Sequence, residues 1–235
     1  VIVSAGGEVS DVRKVVSPVM VNEPKSAFYH IDFSFDHLRL GGSAFAQTLN
    51  CIGDDVPTVA NPEYFAEAFD AVQRLVKEGI VMAGHDISAG GLITTLLEMC
   101  FANTTGGMEI DLNNVVEKDI VKLLFAENPA LVIQVADKDK CRMQEILDDA
   151  GICFVKIGAP CEKRHIAVAK DGRTRLFDIE HYRDVWFDSS YLMDLKQSFN
   201  GCADERHNNY KTQPIELEFN SSFTGKLAQY GITAD

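Results

Sequence analysis

The 235-residue chain is 46% hydrophobic and 24% charged, the balance of an ordinary globular protein long enough to bury a sizeable core. Its 22 Lys and Arg against 35 Asp and Glu give a formal net charge of −13. Without a basic cluster to offset that charge, nucleic acid is excluded as a partner, and a small polyphosphate would need metal ions to screen the carboxylates. The six cysteines (51, 100, 141, 153, 161 and 202) form no C-x-x-C. This argues against zinc and disulfides and for reduced thiols in a cytoplasmic protein. No apolar run approaches the roughly 20 residues of a membrane span, so no membrane partner is expected. The chain starts at Val1 inside an apolar run, without Met, and reads as a piece of something longer.

Residues 1–24 form a lead-in segment in which Pro18 favours extended backbone. Ala27 to Phe35 alternates and is aromatic-rich, which predicts a strand. His30 and Asp32 share one of its faces and read as a half-exposed strand rather than a metal site. Gly41-Gly42 make a turn, and Ser43 caps a short helix ending at Asn50. After a loop over 51–60, Asn61 and Pro62 start a helix that Gly79 closes. Its expected inward stripe is Phe65, Ala68, Phe69, Val72, Leu75 and Val76.

A strand over 79–83, a loop over 84–91 and an all-round apolar helix over 92–102 follow. Gly106-Gly107 breaks the chain before a strand at 108–112, and 113–124 is a helical or irregular connector. The continuous apolar run 130–135 predicts a strand, and Asp137 a helix over 138–150 with Cys141, Ile146, Leu147 and Ala150 inward. Strands are expected at 152–157, 165–169 and 174–179, the last two joined by the hairpin signal Lys170-Asp171-Gly172. A helix over 180–199 uses Tyr182, Trp186, Tyr191 and Leu195 as contacts. From Gly201 the chain is polar, broken by Pro214, and reads as a wrapping tail. The fold class is α/β layered: a mixed β-sheet with helices packed on it.

Chemistry concentrates in Gly84-His85-Asp86-Ile87-Ser88-Ala89-Gly90-Gly91-Leu92. A strand passing through glycines into a helix can hold a phosphate, because the backbone approaches closely and the first-turn amides face the anion. Asp86 adds a hard carboxylate suited to Mg²⁺, and Ser88 a hydroxyl. Read from the residues alone, the same pattern equally describes a capped turn, with Ser88 as the cap. It is not a serine-hydrolase elbow, since Asp86 stands two before Ser88. His85 reads as a hydrogen-bonding loop residue, and Glu127, just before the buried strand, as a loop acid.

Taken together, LGGSAFAQTL (40–49), GHDISAGGLITTLLEMCF (84–101) and LLFAENPALVIQV (123–135) resemble the phosphoribosylformylglycinamidine synthase family of purine biosynthesis. The likeness is to the C-terminal half-domain of the second synthase repeat in the large single-chain form. His85 through Glu98 and Met99 match the family's H-D-x-S-x-G-G-L-x-x-x-x-x-E-M pattern. DVRKVVSP (11–18) and RDVWFDSSYLMDLK (183–196) resemble its beginning and its Trp-bearing end.

The resemblance implies an aminoimidazole ribonucleotide synthetase C-terminal-domain-like fold over 1–200, with 201–235 linking toward a glutaminase domain. It implies part of an ATP-dependent ligase that converts formylglycinamide ribonucleotide to its amidine with glutamine-derived ammonia. Asp86 corresponds to the family's Mg²⁺ ligand, and Ser88, Gly90 and Gly91 to contacts with ATP or ADP. That nucleotide would sit in the auxiliary, structural site, completed by an N-terminal half-domain. Ala89 departs from the acidic residue many relatives carry. Other substrates of the superfamily (aminoimidazole ribonucleotide, or those of selenophosphate and thiamine-phosphate kinases) and a plain interaction domain are the alternatives.

Overall fold

In the computed structural model, which describes residues 6–9, 11–212, 218 and 220–232, seven strands form one mixed sheet. They are β1 (Ser26–Asp32), β2 (Val81–Ile87), β3 (Gly107–Asp111), β4 (Ala130–Ala136), β5 (Phe154–Cys161), β6 (His165–Lys170) and β7 (Arg173–Asp178). Their spatial order is β2-β4-β1-β5-β3-β6-β7. β3 and β6 run parallel, and the remaining neighbours are antiparallel. Helices pack on this sheet, so the expected α/β architecture is present.

Alternation along the strands sorts the core into two layers. One face presents Phe28, Val132, Ile110 and Ile166 to α3 (Gly91–Phe101) and α4 (Ile120–Phe125). The other presents Tyr29, Ile31, Ile133 and Val135 to α2 (Pro62–Lys77) and α5 (Lys140–Asp149). Eight of the eleven α3 residues are buried, as expected for a helix apolar on every side. The buried Gln134 on β4 is fully partnered: it accepts from the Val21 amide at 2.8 Å and donates to the Val21 carbonyl at 2.7 Å and to Ser26 Oγ at 2.8 Å.

The sequence expectations need several adjustments, among them Asp137, which opens a 3-10 turn (Asp137–Asp139) rather than capping the helix that follows. β2 runs on through Gly84, His85, Asp86 and Ile87, which pair with Ile133, Val132, Leu131 and Ala130 of β4. The predicted loop over 84–91 therefore shrinks to Ser88–Gly90, because a full strand lies alongside to pair with. The buried stripe of α2 is Tyr64, Ala68, Ala71, Val72 and Leu75, rotated so that Phe65 and Phe69 stand exposed. In α5 the inward residues are Met143, Ile146 and Leu147, and Cys141 is exposed. β5 begins at Phe154 rather than Ile152, which is buried ahead of it.

The chain divides into two compact units, Val16–Trp186 and the described residues of Val1–Val15 with Phe187–Asp235. The first contains the sheet. In the second, the end of α6 (Ile179–Gln197) meets α7 (Cys202–Asn209), a helix where a polar tail was expected. Tyr191 stacks on His207 at 4.0 Å and donates to Asp204 at 2.7 Å, and Arg206 pairs with Asp194. Leu195, expected as a contact, is exposed. Residues 1–5 and Pro214 lie outside the described residues. No helix among the described residues is long and apolar enough to cross a membrane.

Candidate functional site

β2 is an edge strand of the sheet, and the chemistry of its motif is laid out at its C-terminal end. Ala83 and Ile87 belong to the layer under α3, so period two sends His85 to that face and Asp86 to the opposite one. The Asp86 side chain is 67% exposed. Among the described residues its carboxylate accepts no backbone amide, and its close partner there is His85 Nδ1 at 3.4 Å. It borders a hollow of about 400 Å³ walled by Val72 and Val76 of α2 and by Leu131 and Ile133 of β4. Ser88, two residues on and just past the strand end, is also exposed.

The Asp86 backbone is fixed more firmly than its side chain. Its carbonyl accepts from Thr95 Oγ1 at 3.0 Å and lies 2.8 Å from His85 Nδ1. His85 Nε2 lies 3.3 Å from Glu98 Oε2, and the Trp186 indole donates to Glu98 Oε1 at 3.2 Å. Thr95 and Glu98 sit on consecutive turns of α3, so the helix grips the strand end it grew out of. His85 is thus the hydrogen-bonding residue expected. The roles of Thr95 and Trp186 were not visible from the motif.

The glycine loop departs from the expected anion cradle. Gly90 and Gly91 both take positive φ, +90° and +72°, a conformation only glycine adopts without cost. Their amides are already engaged: Gly91 N donates to Ser88 O at 3.0 Å and Gly90 N to Glu127 Oε1 at 2.8 Å. Ser88 contributes its carbonyl rather than a hydroxyl cap, and α3 has no side-chain cap. The glycines serve this loop by their shape. Glu127 also accepts from Ala44 N at 2.8 Å, the first residue of α1 (Ala44–Thr48). Ser43 caps that helix as expected, accepting from Ala46 N at 3.2 Å.

His30 and Asp32 share a face, as predicted, and it lines a cavity of about 720 Å³ with Leu92, Leu112, Val155 and Ile157. Burial pulls the His30 imidazole below its ordinary pKa, with Asp32 opposing more weakly. The Asp32 carboxylate is committed to the following turn, accepting from Ser34 N, Ser34 Oγ and Phe35 N at 2.8–3.0 Å. No group of three or more His, Cys, Asp or Glu among the described residues is placed to hold a metal. Asp86 therefore offers one carboxylate, and the remaining ligands of a cation there would come from phosphate oxygens, water or another segment.

Comparison with known proteins identifies the family of the chain. Residues 33–171 match the family model described as AIR synthase related protein, C-terminal domain. The chain is 32% identical over 206 residues to a probable phosphoribosylformylglycinamidine synthase, chloroplastic/mitochondrial, of Arabidopsis thaliana, covering 86% of this chain and 14% of that protein. It is 31% identical over 209 residues to phosphoribosylformylglycinamidine synthase of Homo sapiens, covering 87% and 16%. The chain thus spans only about a seventh of these relatives. Among solved structures, Thermotoga maritima PurL complexed with FGAR superposes with a TM-score of 0.58 at 18% identity, over 73% of this chain and 30% of that one. The same protein complexed with ATP gives 0.56 at 14% identity, over 72% and 27%.

Proposed function

The chain belongs to the AIR synthase related C-terminal domain family, and from that premise we propose that it is the nucleotide-facing half-domain of a formylglycinamide ribonucleotide amidotransferase. In this reading Asp86 is a Mg²⁺ ligand, Ser88 contacts an ATP or ADP phosphate, and Gly90 and Gly91 shape the loop between them. The observation that carries it is the Asp86 carboxylate. It is exposed at the end of a sheet strand whose backbone is pinned by Thr95, yet bonded to no amide among the described residues. A carboxylate held that way is ready to share a cation with phosphate oxygens, since Mg²⁺ takes one or two carboxylates and fills its other positions with phosphate and water.

The whole enzyme is an ATP-dependent carbon–nitrogen ligase in this proposal. ATP phosphorylates the amide oxygen of formylglycinamide ribonucleotide, ammonia adds at that carbon and phosphate leaves. Mg²⁺ supplies charge neutralisation for such chemistry, and the protein supplies position. An N-terminal half-domain provides the other ligands, a glutaminase domain provides ammonia, and residues 201–235 lead toward it. With one carboxylate in place, this half holds a nucleotide as a structural element rather than turning it over.

Calorimetric titration of Mg²⁺–ADP into the complete polypeptide tests the site. Asp86→Ala is expected to weaken binding by at least the roughly 10–100-fold that losing a residue behind a metal ligand costs, and Ser88→Ala by less. Unchanged affinity in both variants would remove the proposed role.

A further inference from the structure

We infer that Glu127 is the positioning residue of the glycine loop: one carboxylate oxygen clamps the starts of α1 and α3 together and so sets where Ser88 stands beside the strand-held Asp86. Three segments far apart in the chain meet at this atom. Glu127 Oε1 accepts from Ala44 N and from Gly90 N, each at 2.8 Å, across 83 and 37 residues of sequence. Charge-assisted bonds to a half-buried carboxylate are among the stronger ones a protein makes.

The surroundings make the clamp stiff. Phe45, next to Ala44, stacks on Phe125 at 4.7 Å, so α1 is tied to the end of α4 by a ring pair as well as by the carboxylate. Gly91 is pressed so closely onto the same helix end that an added Cβ would lie 2.7 Å from Leu124 O and Phe125 Cα. Gly91 N in turn reaches back to Ser88 O. The chain of contacts from Glu127 through Gly90 and Gly91 to Ser88 is therefore continuous. An anion at the Gly90 amide would have to displace Glu127, so a phosphate is steered to the Asp86–Ser88 side of the turn.

The nucleotide part of this inference rests on the reading above, and the clamp itself does not, so the test reads both in the complete polypeptide. Because both bonds end on one oxygen, Glu127→Gln retains them through its amide oxygen and removes only the charge, whereas Glu127→Ala removes both. Amide hydrogen exchange is measured at Ala44 and Gly90, and Mg²⁺–ADP affinity is measured by calorimetry well below the melting temperature. Glu127→Ala is expected to speed exchange at both amides and to weaken nucleotide binding roughly tenfold or more, with Glu127→Gln within about threefold of the parent. Where Asp86→Ala does weaken binding, a purely structural role would lower the melting temperature of Glu127→Ala without moving affinity. That result, or unaltered exchange at the two amides, overturns the inference. An equal loss in both variants overturns it as well, since charge alone would then be the cause. If Asp86→Ala leaves affinity unchanged while Glu127→Ala still frees the two amides, the nucleotide site fails and takes the steering role with it, and the clamp alone stands.

Discussion

Gly91 and Gly79 have nearly the same backbone conformation, φ +72° and +73°, but opposite surroundings. A Cβ on Gly79 would meet nothing within 4 Å, whereas one on Gly91 would lie 2.7 Å from backbone atoms of Leu124 and Phe125. Gly79→Ala therefore isolates the cost of a left-handed alanine, about 1–2 kcal/mol. Gly91→Ala adds a steric clash against backbone that cannot swing aside, worth a further ~1–3 kcal/mol by analogy with overpacked cores. The predicted losses are thus about 1–2 and roughly 2–5 kcal/mol respectively. Trp186, the single tryptophan, reports on the sheet-bearing unit, packing 5.8 Å from Phe101 at the far end of α3. Urea unfolding followed by its fluorescence gives both values from midpoint and slope. Equal losses in the two variants, within about 0.5 kcal/mol, would show that α3 slides off the end of α4 without cost, and the close approach would explain nothing.

Two further outcomes follow from titration behaviour. The Asp36 carboxyl is held down to about 2 by the Thr58 hydroxyl, the Arg39 guanidinium and the His37 amide. A folded-state value below the unfolded one gives stability that is present above about pH 4 and fades as pH falls toward 2. Asp36→Asn should therefore flatten the decline of the urea midpoint between pH 5 and 2, and an unaltered slope would remove Asp36 from acid unfolding. Burial pushes the Cys100 thiol up to about 12, while Cys51 and Cys141 are exposed. An aromatic disulfide reagent at pH 8 should label Cys51, Cys141 and the likewise exposed Cys153 in the native protein and Cys100 only on unfolding. Labelling of Cys100 at the rate of Cys141 would contradict the packing of α3.

Much of the fold and part of the site could be read without coordinates. Ser43, Asn61 and Pro62 mark helix starts through local chemistry, a side-chain oxygen meeting an amide two or three residues on, and all stand where expected. The alternation that put His30 and Asp32 on one face and Tyr29 and Ile31 on the other depends only on period two. The end of β2 was misjudged because glycine and two polar residues look like a loop until a partner strand is seen beside them. Phe65 and Phe69 misled for a related reason: α2 is rotated so that Tyr64 turns inward, where its hydroxyl donates to Asp32 O at 3.2 Å and accepts from Cys153 N at 2.8 Å, partners the sequence does not show.

Local order was therefore legible in the sequence for most strands and helices, for the caps at Ser43 and Asn61 and for the all-round burial of α3, but not for Asp137, which lies in a 3-10 turn ahead of an uncapped α5. Those features come from interactions within a few residues, and a one-dimensional pattern records them. Only the tertiary structure decided that Glu127, an unremarkable loop acid in the chain, closes on amides 37 and 83 residues away. It alone decided that the amides of Gly90 and Gly91 are spoken for. Contacts between distant segments depend on how layers pack, and packing is a property of the whole molecule.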